Sequence, residues 1–159
     1  MTVNPLQTYF EITQLHAAYS AAVDSSDWDR WIALFTDDCE YKVQPRENHE
    51  RGFPLATLAL LSKGMLRDRA YGIRETLFHD PYYQRHVVGQ PLIVREEGEV
   101  IVTETNYTVF RTKLSQETTV FNAGRYLDRV LRTADGLRLQ SRLCIYDTEM
   151  IPNSLIYPI

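Results

Sequence analysis

Asp24, Tyr41 and His86 are the side chains with which this chain could do chemistry, with Tyr107 and Tyr126 beside them. An aspartate paired with a histidine makes a general base. A tyrosine hydroxyl can polarise the carbonyl on which that base acts. The alternative is structural. Asp24 closes a helix and bonds the amides of the next turn, as aspartate often does. His86, inside "RHVV", is then a hydrogen-bonded structural histidine, and the ten tyrosines fill an interior whose hydroxyls reach polar rims. The four histidines, His16, His49, His79 and His86, form no HxxxH or H-x-D pattern. A facial triad of two histidines and a carboxylate has no spacing signature here. Scattered histidines can still converge in space.

These residues need elements to hold them. Ile12, Leu15, Tyr19, Ala22 and Val23 recur at helical spacing, which predicts a helix over 5–24 that stops at "DSSD". Ser26 and Asp29 resemble a capping box for a second, short helix through Trp28, Trp31, Ile32 and Phe35. "CEYKV" reads as a strand and "QPRENHERG" as a loop. "LATLALLSKGMLRDRAYGIRETL" is helix-like, with Met65, Arg69 and Ile73 in phase. Gly64 and Gly72 each weaken that helix by about 1 kcal/mol relative to alanine. "FHDPYYQ" is a loop.

From His86 the period becomes two. "RHVVGQPLIVRE" predicts one strand kinked at Pro91. "EVIVTETNYTVFRTKL" and "TTVFNAGRYLDRVLRT" predict two long strands. Phe121, Ala123, Leu127 and Leu131 share a face of the second, with a bulge at Gly124. "ADG" is a tight turn. In "LRLQSRLCIYDTE", Leu139, Leu143 and Ile145 alternate with Arg138, Gln140 and Arg142. Helices first and antiparallel strands last define an α+β domain over 1–159, with a long sheet curving around the helices.

Composition narrows the function. The chain has 159 residues, 44% hydrophobic and 24% charged, with a formal net charge of −4. No basic stripe exists to neutralise phosphates, which argues against nucleic acid as a partner. The apolar run "FPLATLALL" is too short to span a bilayer, so no membrane partner is expected. "MTVNPLQTYFEITQ" has no signal-peptide pattern. Cys39 and Cys144 have no paired spacing and read as buried, reduced thiols of a cytoplasmic protein. Arg67, Arg69, Arg74, Arg125, Arg129 and Arg142 are either a solvated face or partners of carboxylates across subunit interfaces. The apolar tail "IPNSLIYPI" is expected to bury itself in a neighbouring subunit, with packing on its own domain as the alternative.

The order of "DWDRWIALFTDDCEYKV", "MLRDRAYGIRE", "RHVVG", "TNYTVFRTK" and "FNAGRYLDRVLRTADGLRLQSRLCIYDTE" resembles the small (beta) subunits of bacterial aromatic-ring-hydroxylating dioxygenases. The most specific piece is "AGRYLDRVLRTADGLRLQSR". The loop "ENHERG" is similar to that of members acting on aromatic carboxylates, of the salicylate hydroxylase, terephthalate dioxygenase and anthranilate dioxygenase type.

The resemblance implies a nuclear-transport-factor-2-like cone fold and a non-catalytic structural role in an α3β3 hetero-hexamer. It implies a large (alpha) subunit as partner, self-association into a beta trimer, and, indirectly, a reductase or ferredoxin. It places a [2Fe–2S] Rieske cluster and a mononuclear Fe(II) on the large subunit, with no cofactor and no catalytic residue on this chain. Two lone cysteines without a following x-His do not match a Rieske site. The competing expectation is a free-standing cone-fold dehydratase or isomerase using Asp24, His86 and Tyr41. A small-molecule binding domain is a third.

Overall fold

In a computed structural model, which describes residues 4–151 and 154–159, helix α1 spans Pro5–Asp24. Asn4 caps it by accepting from the Leu6 amide at 3.0 Å, and Pro5 occupies the first turn, where no amide is needed. Its buried stripe is Thr8, Ile12, Leu15, His16, Tyr19, Ala22 and Val23. The short helix α2, Trp28–Ala33, follows a turn in which Ser26 adopts a positive φ of 57°. Its cap is Asp27, whose carboxylate accepts from the Arg30 amide, and not the Ser26–Asp29 pair. Ser26 is spent on the left-handed turn instead.

The remaining elements are β1 (Phe35–Pro45), α3 (Arg46–Glu50), β2 (Leu58–Leu60), α4 (Lys63–Tyr71), a π-helical turn (Gly72–Thr76), β3 (Tyr82–Val88), β4 (Leu92–Glu97), β5 (Val100–Lys113), β6 (Thr119–Thr133) and β7 (Gly136–Tyr146). The sheet runs β2-β1-β7-β6-β5-β3, with β4 also on β5. Among the described residues, only the β1–β7 pair is parallel. Helices and a large mixed sheet make this an α+β cone.

Several local expectations change. The run 85–96 is two strands, because Gly89, Gln90 and Pro91 interrupt it. Both strands pair with β5, β4 at its first half and β3 at its second. The loop expected at 44–52 contains α3. The helix-like run 55–77 begins as the short strand β2. Ser62 then starts α4 by accepting from the Met65 amide, and the buried face becomes Leu66, Ala70 and Ile73, leaving Met65 exposed.

Bulges decide which side chains enter the cone. On β6 the extra residue opposite β5 is Phe121, between the pairs Val109–Asn122 and Phe110–Val120. Gly124 is in register instead. It is a glycine because a Cβ there would collide with the Ile145 carbonyl on β7. On β7 the extra residue is Gln140, since Arg129 pairs with Ser141 and Val130 with Leu139. This one residue flips the alternation. Leu137 and Leu139 point inward, and beyond the bulge Arg142, Cys144 and Tyr146 do so. Arg142 is therefore an interior residue, not a surface one, and Ile145 is buried outside the main core cluster.

Candidate functional site

The structure brings Asp24 and His86 together. Asp24 ends α1, and His86 sits on the inward face of β3. One carboxylate oxygen accepts from the His86 main-chain amide at 3.0 Å, and the other lies 2.6 Å from Nδ1. The carboxylate is spent on β3, while the turn amides of Ser25, Ser26 and Asp27 go to main-chain carbonyls of α1. The His86 ring is 0% exposed and the Asp24 side chain 9% exposed. Nε2, the other ring nitrogen, is buried and has no hydrogen-bond partner among the described residues. The pair has the form of a base and an orienting acid, and His86 lines a cavity of about 260 Å³ together with Thr13, His16, Ser20, Val88 and Pro91.

Tyr41 does not join the pair. Its hydroxyl donates to the Ile159 main-chain oxygen at 2.9 Å and accepts from the Ile159 amide at 2.8 Å. Tyr19 donates to the same oxygen at 2.7 Å. Burial raises both tyrosine pKa values, so both hydroxyls stay protonated. Tyr107 donates to Asn122 Oδ1 and stacks on Tyr126 with centroids 4.2 Å apart.

A second polar cluster lies deeper. Arg142, fully buried, takes both oxygens of Asp128 at 2.9 and 2.7 Å. Its guanidinium lies 4.1 Å from the Tyr19 ring centroid and 3.9 Å from that of Tyr126, held between two aromatic faces. Its Nη2 also donates to His16 Nδ1 at 2.8 Å. A guanidinium only donates, so Nδ1 is the bare nitrogen and Nε2–H points to Thr105 Oγ1 at 3.3 Å. Burial, then repulsion by Arg142, pulls the His16 pKa down to about 4 against the opposing pull of Asp128. Burial alone disfavours the Arg142 charge, but Asp128 outweighs it and the guanidinium stays charged.

The other arginines divide as the sequence left open. Arg74 pairs with Asp29, Arg125 with Glu104 and Arg129 with Glu97 at partly exposed positions. Arg67 is exposed. Arg69 instead holds the carbonyls of Leu155 and Ile156, both at 2.7 Å from Nη2. The end of the tail, 157–159, therefore packs on its own cone, with Ile159 0% exposed, whereas residues 152 and 153 lie outside the described residues. For these last residues the alternative of packing on their own domain holds, with Tyr19, Tyr41 and Arg69 supplying partners for the carbonyls of Leu155, Ile156 and Ile159. Cys39 and Cys144 are buried free thiols. Among the described residues, no three His, Cys, Asp or Glu side chains are placed to hold a metal ion, and no helix is long and apolar enough to cross a membrane.

A SnoaL-like domain model matches residues 4–143. The chain is 37% identical over 155 residues to the anthranilate 1,2-dioxygenase small subunit of Burkholderia cepacia, covering 97% of this chain and 96% of that one. It is 33% identical over 150 residues to the terephthalate 1,2-dioxygenase terminal oxygenase component subunit beta 1 of Comamonas sp, covering 94% and 97%. A solved beta subunit of a candidate aromatic-ring-hydroxylating dioxygenase from Novosphingobium aromaticivorans DSM 12444 superposes with a TM-score of 0.89. It shares 38% identity, covering 97% of this chain and 98% of that one. The chain belongs to the small subunits of aromatic-ring-hydroxylating dioxygenases. It is a SnoaL-like, nuclear-transport-factor-2-like cone.

In this small subunit, sequence reasoning weighed His16 only as a metal ligand and Arg142 only as a surface or interface residue, and it passed over Asp128. A signal existed for His16 and Asp128. His16 falls on the apolar stripe of α1, next to Leu15 and one turn from Ile12 and Tyr19. Asp128 alternates with Tyr126 and Val130, both buried. Only the bulge at Gln140, invisible in the residue pattern, places Arg142 opposite Asp128.

Proposed function

We propose that this chain is the non-catalytic small subunit of a multicomponent oxygenase that hydroxylates an aromatic, carboxylated substrate with O2. In this reading the whole chain, 1–159, is one cone domain. It stabilises an α3β3 assembly through a beta trimer and a face fitted to the large subunit. The large subunit carries the Rieske [2Fe–2S] cluster and the mononuclear Fe(II), and a reductase or ferredoxin supplies electrons. The complex works in the cytoplasm.

The observation that supports the non-catalytic role is that the Tyr41 hydroxyl, held by Ile159, does not converge on the Asp24–His86 pair, so the acid, base and hydroxyl are not assembled at one point. Asp24 is spent on the two N–H groups of His86, and the Tyr41 hydroxyl on Ile159. Arg142 is spent on Asp128 and His16. Kinship to small subunits of anthranilate and terephthalate dioxygenases supports the complex and the carboxylated substrate.

The test is Asp24→Asn in the assembled oxygenase. Asparagine can still accept from the His86 amide but loses the charge-assisted bond to Nδ1. The free chain should lose about 1–3 kcal/mol of stability. The complex should keep kcat within about twofold, because only a group acting in the transition state moves it strongly. A hundredfold fall in kcat in a correctly assembled complex would assign chemistry to the dyad.

A further inference from the structure

Residues 154–159 are held in an unusual way. Among the described residues, no main-chain hydrogen bond joins this segment to another main chain. Its carbonyls are met by side chains from four separate elements: Arg69 of α4 takes Leu155 and Ile156, Gln84 of β3 takes Pro158, and Tyr19 of α1 and Tyr41 of β1 take Ile159. The Tyr157 ring lies between aromatic walls, 4.5 Å from Tyr82 and 5.6 Å from Trp28 between centroids. A sheet holds a strand by a ladder. Converging side-chain donors and aromatic walls are how a pocket holds a ligand.

The seat has more donors than the tail uses. Arg69, half-buried, has no carboxylate partner among the described residues, and its Nε is buried without an acceptor. The Trp31 indole N–H is also buried without an acceptor, in a ring 5.6 Å from that of Tyr41. Two phenol hydroxyls converge on a single oxygen, and the Cys144 thiol lies 3.5 Å from it. Such a donor-rich, aromatic-walled space suits a ligand with paired oxygens on a flat ring.

We propose that the seat of residues 154–159 is a ligand site filled by the chain's own tail, and that a monocyclic aromatic carboxylate enters it when the tail is loosened. The carboxylate takes the place of the Ile159 oxygen between the Tyr19 and Tyr41 hydroxyls, and the ring lies against the walls that hold the tail. The tail is thus a tethered pseudo-ligand that keeps the cone closed. This concerns the interior of the cone and stands or falls independently of the assembly reading.

The experiment uses the full chain carrying Tyr157→Ala and Ile159→Ala beside the wild type. Benzoate is titrated while tryptophan fluorescence and thermal unfolding are followed. The variant should melt lower by roughly 10 °C or more. Benzoate should raise its Tm saturably, with half-saturation on the order of 1 mM for so small a ligand, and leave the wild type unmoved. Tyr41→Phe added to the variant should weaken half-saturation at least about threefold, through loss of one donor. The proposal is overturned by a folded variant with no saturable response, by an equal response in the wild type, or by indifference to Tyr41→Phe. If the double variant is recovered only unfolded, Ile159→Ala alone is judged by the same three criteria.

Discussion

Asp128 and Arg142 face each other directly across β6 and β7, and the guanidinium grips both carboxylate oxygens in a site without water access. Two opposite charges are thereby sealed inside the cone. Such a pair contributes little net stability against a hydrophobic replacement, yet breaking it strands one charge.

Asp128→Ala should therefore cost about 3–5 kcal/mol, measured by urea denaturation of the isolated chain. Replacing both partners together, as Asp128→Leu with Arg142→Met, should cost less than the single change. A double variant that loses the sum of both single losses would show the two groups to be energetically uncoupled, contrary to this account.

His16 gives the cone a pH dependence. Its pKa falls from 6.5 in the unfolded chain to about 4 when folded. The unfolded chain thus binds more protons between those values, and stability rises with pH across that window. The contribution is complete above about pH 6.5 and is lost as pH falls to about 4. At about 1.4 kcal/mol per unit, the loss is on the order of 3 kcal/mol. His16→Gln keeps an acceptor for Arg142 and removes the titration. Wild type minus variant should slope across pH 4–6.5, and parallel curves would show that His16 does not titrate there.

Gly124→Ala should be among the most damaging small substitutions. The added methyl meets the Ile145 carbonyl and the Tyr146 Cα at 2.9 Å, and both belong to the partner strand β7 rather than to a side chain that could swing away. A loss of about 3 kcal/mol or more is expected in thermal or urea unfolding. A change below about 1 kcal/mol would show that β6 and β7 part easily at this point.

Much of this was legible in the residues. The stripe Ile12, Leu15, Tyr19, Ala22 marks α1 to its last residue, because α1 packs by one face on the sheet. The long β5, β6 and β7 follow from period-two alternation and the "ADG" turn. The pairing of Asp24 with His86 was among the combinations the sequence offered. What stayed hidden depends on non-local geometry. The bulge at Gln140 turns Arg142 inward. The tail's seat is assembled from Tyr19, Tyr41, Arg69 and Gln84, four residues with no common spacing. The split of β3 from β4 arises because both find the same partner strand.

The central claim is that this chain serves an oxygenase by assembling with a larger, iron-bearing subunit. The most direct measurement is to produce the chain alone and together with a ring-hydroxylating large subunit encoded beside it, then determine solution mass and iron content of each. The account predicts an iron-free chain on its own and, in co-production, a hetero-oligomer of equal subunit numbers whose iron remains with the large subunit on dissociation. A chain that stays apart from the large subunit, or that turns over an aromatic substrate unaided, would contradict it.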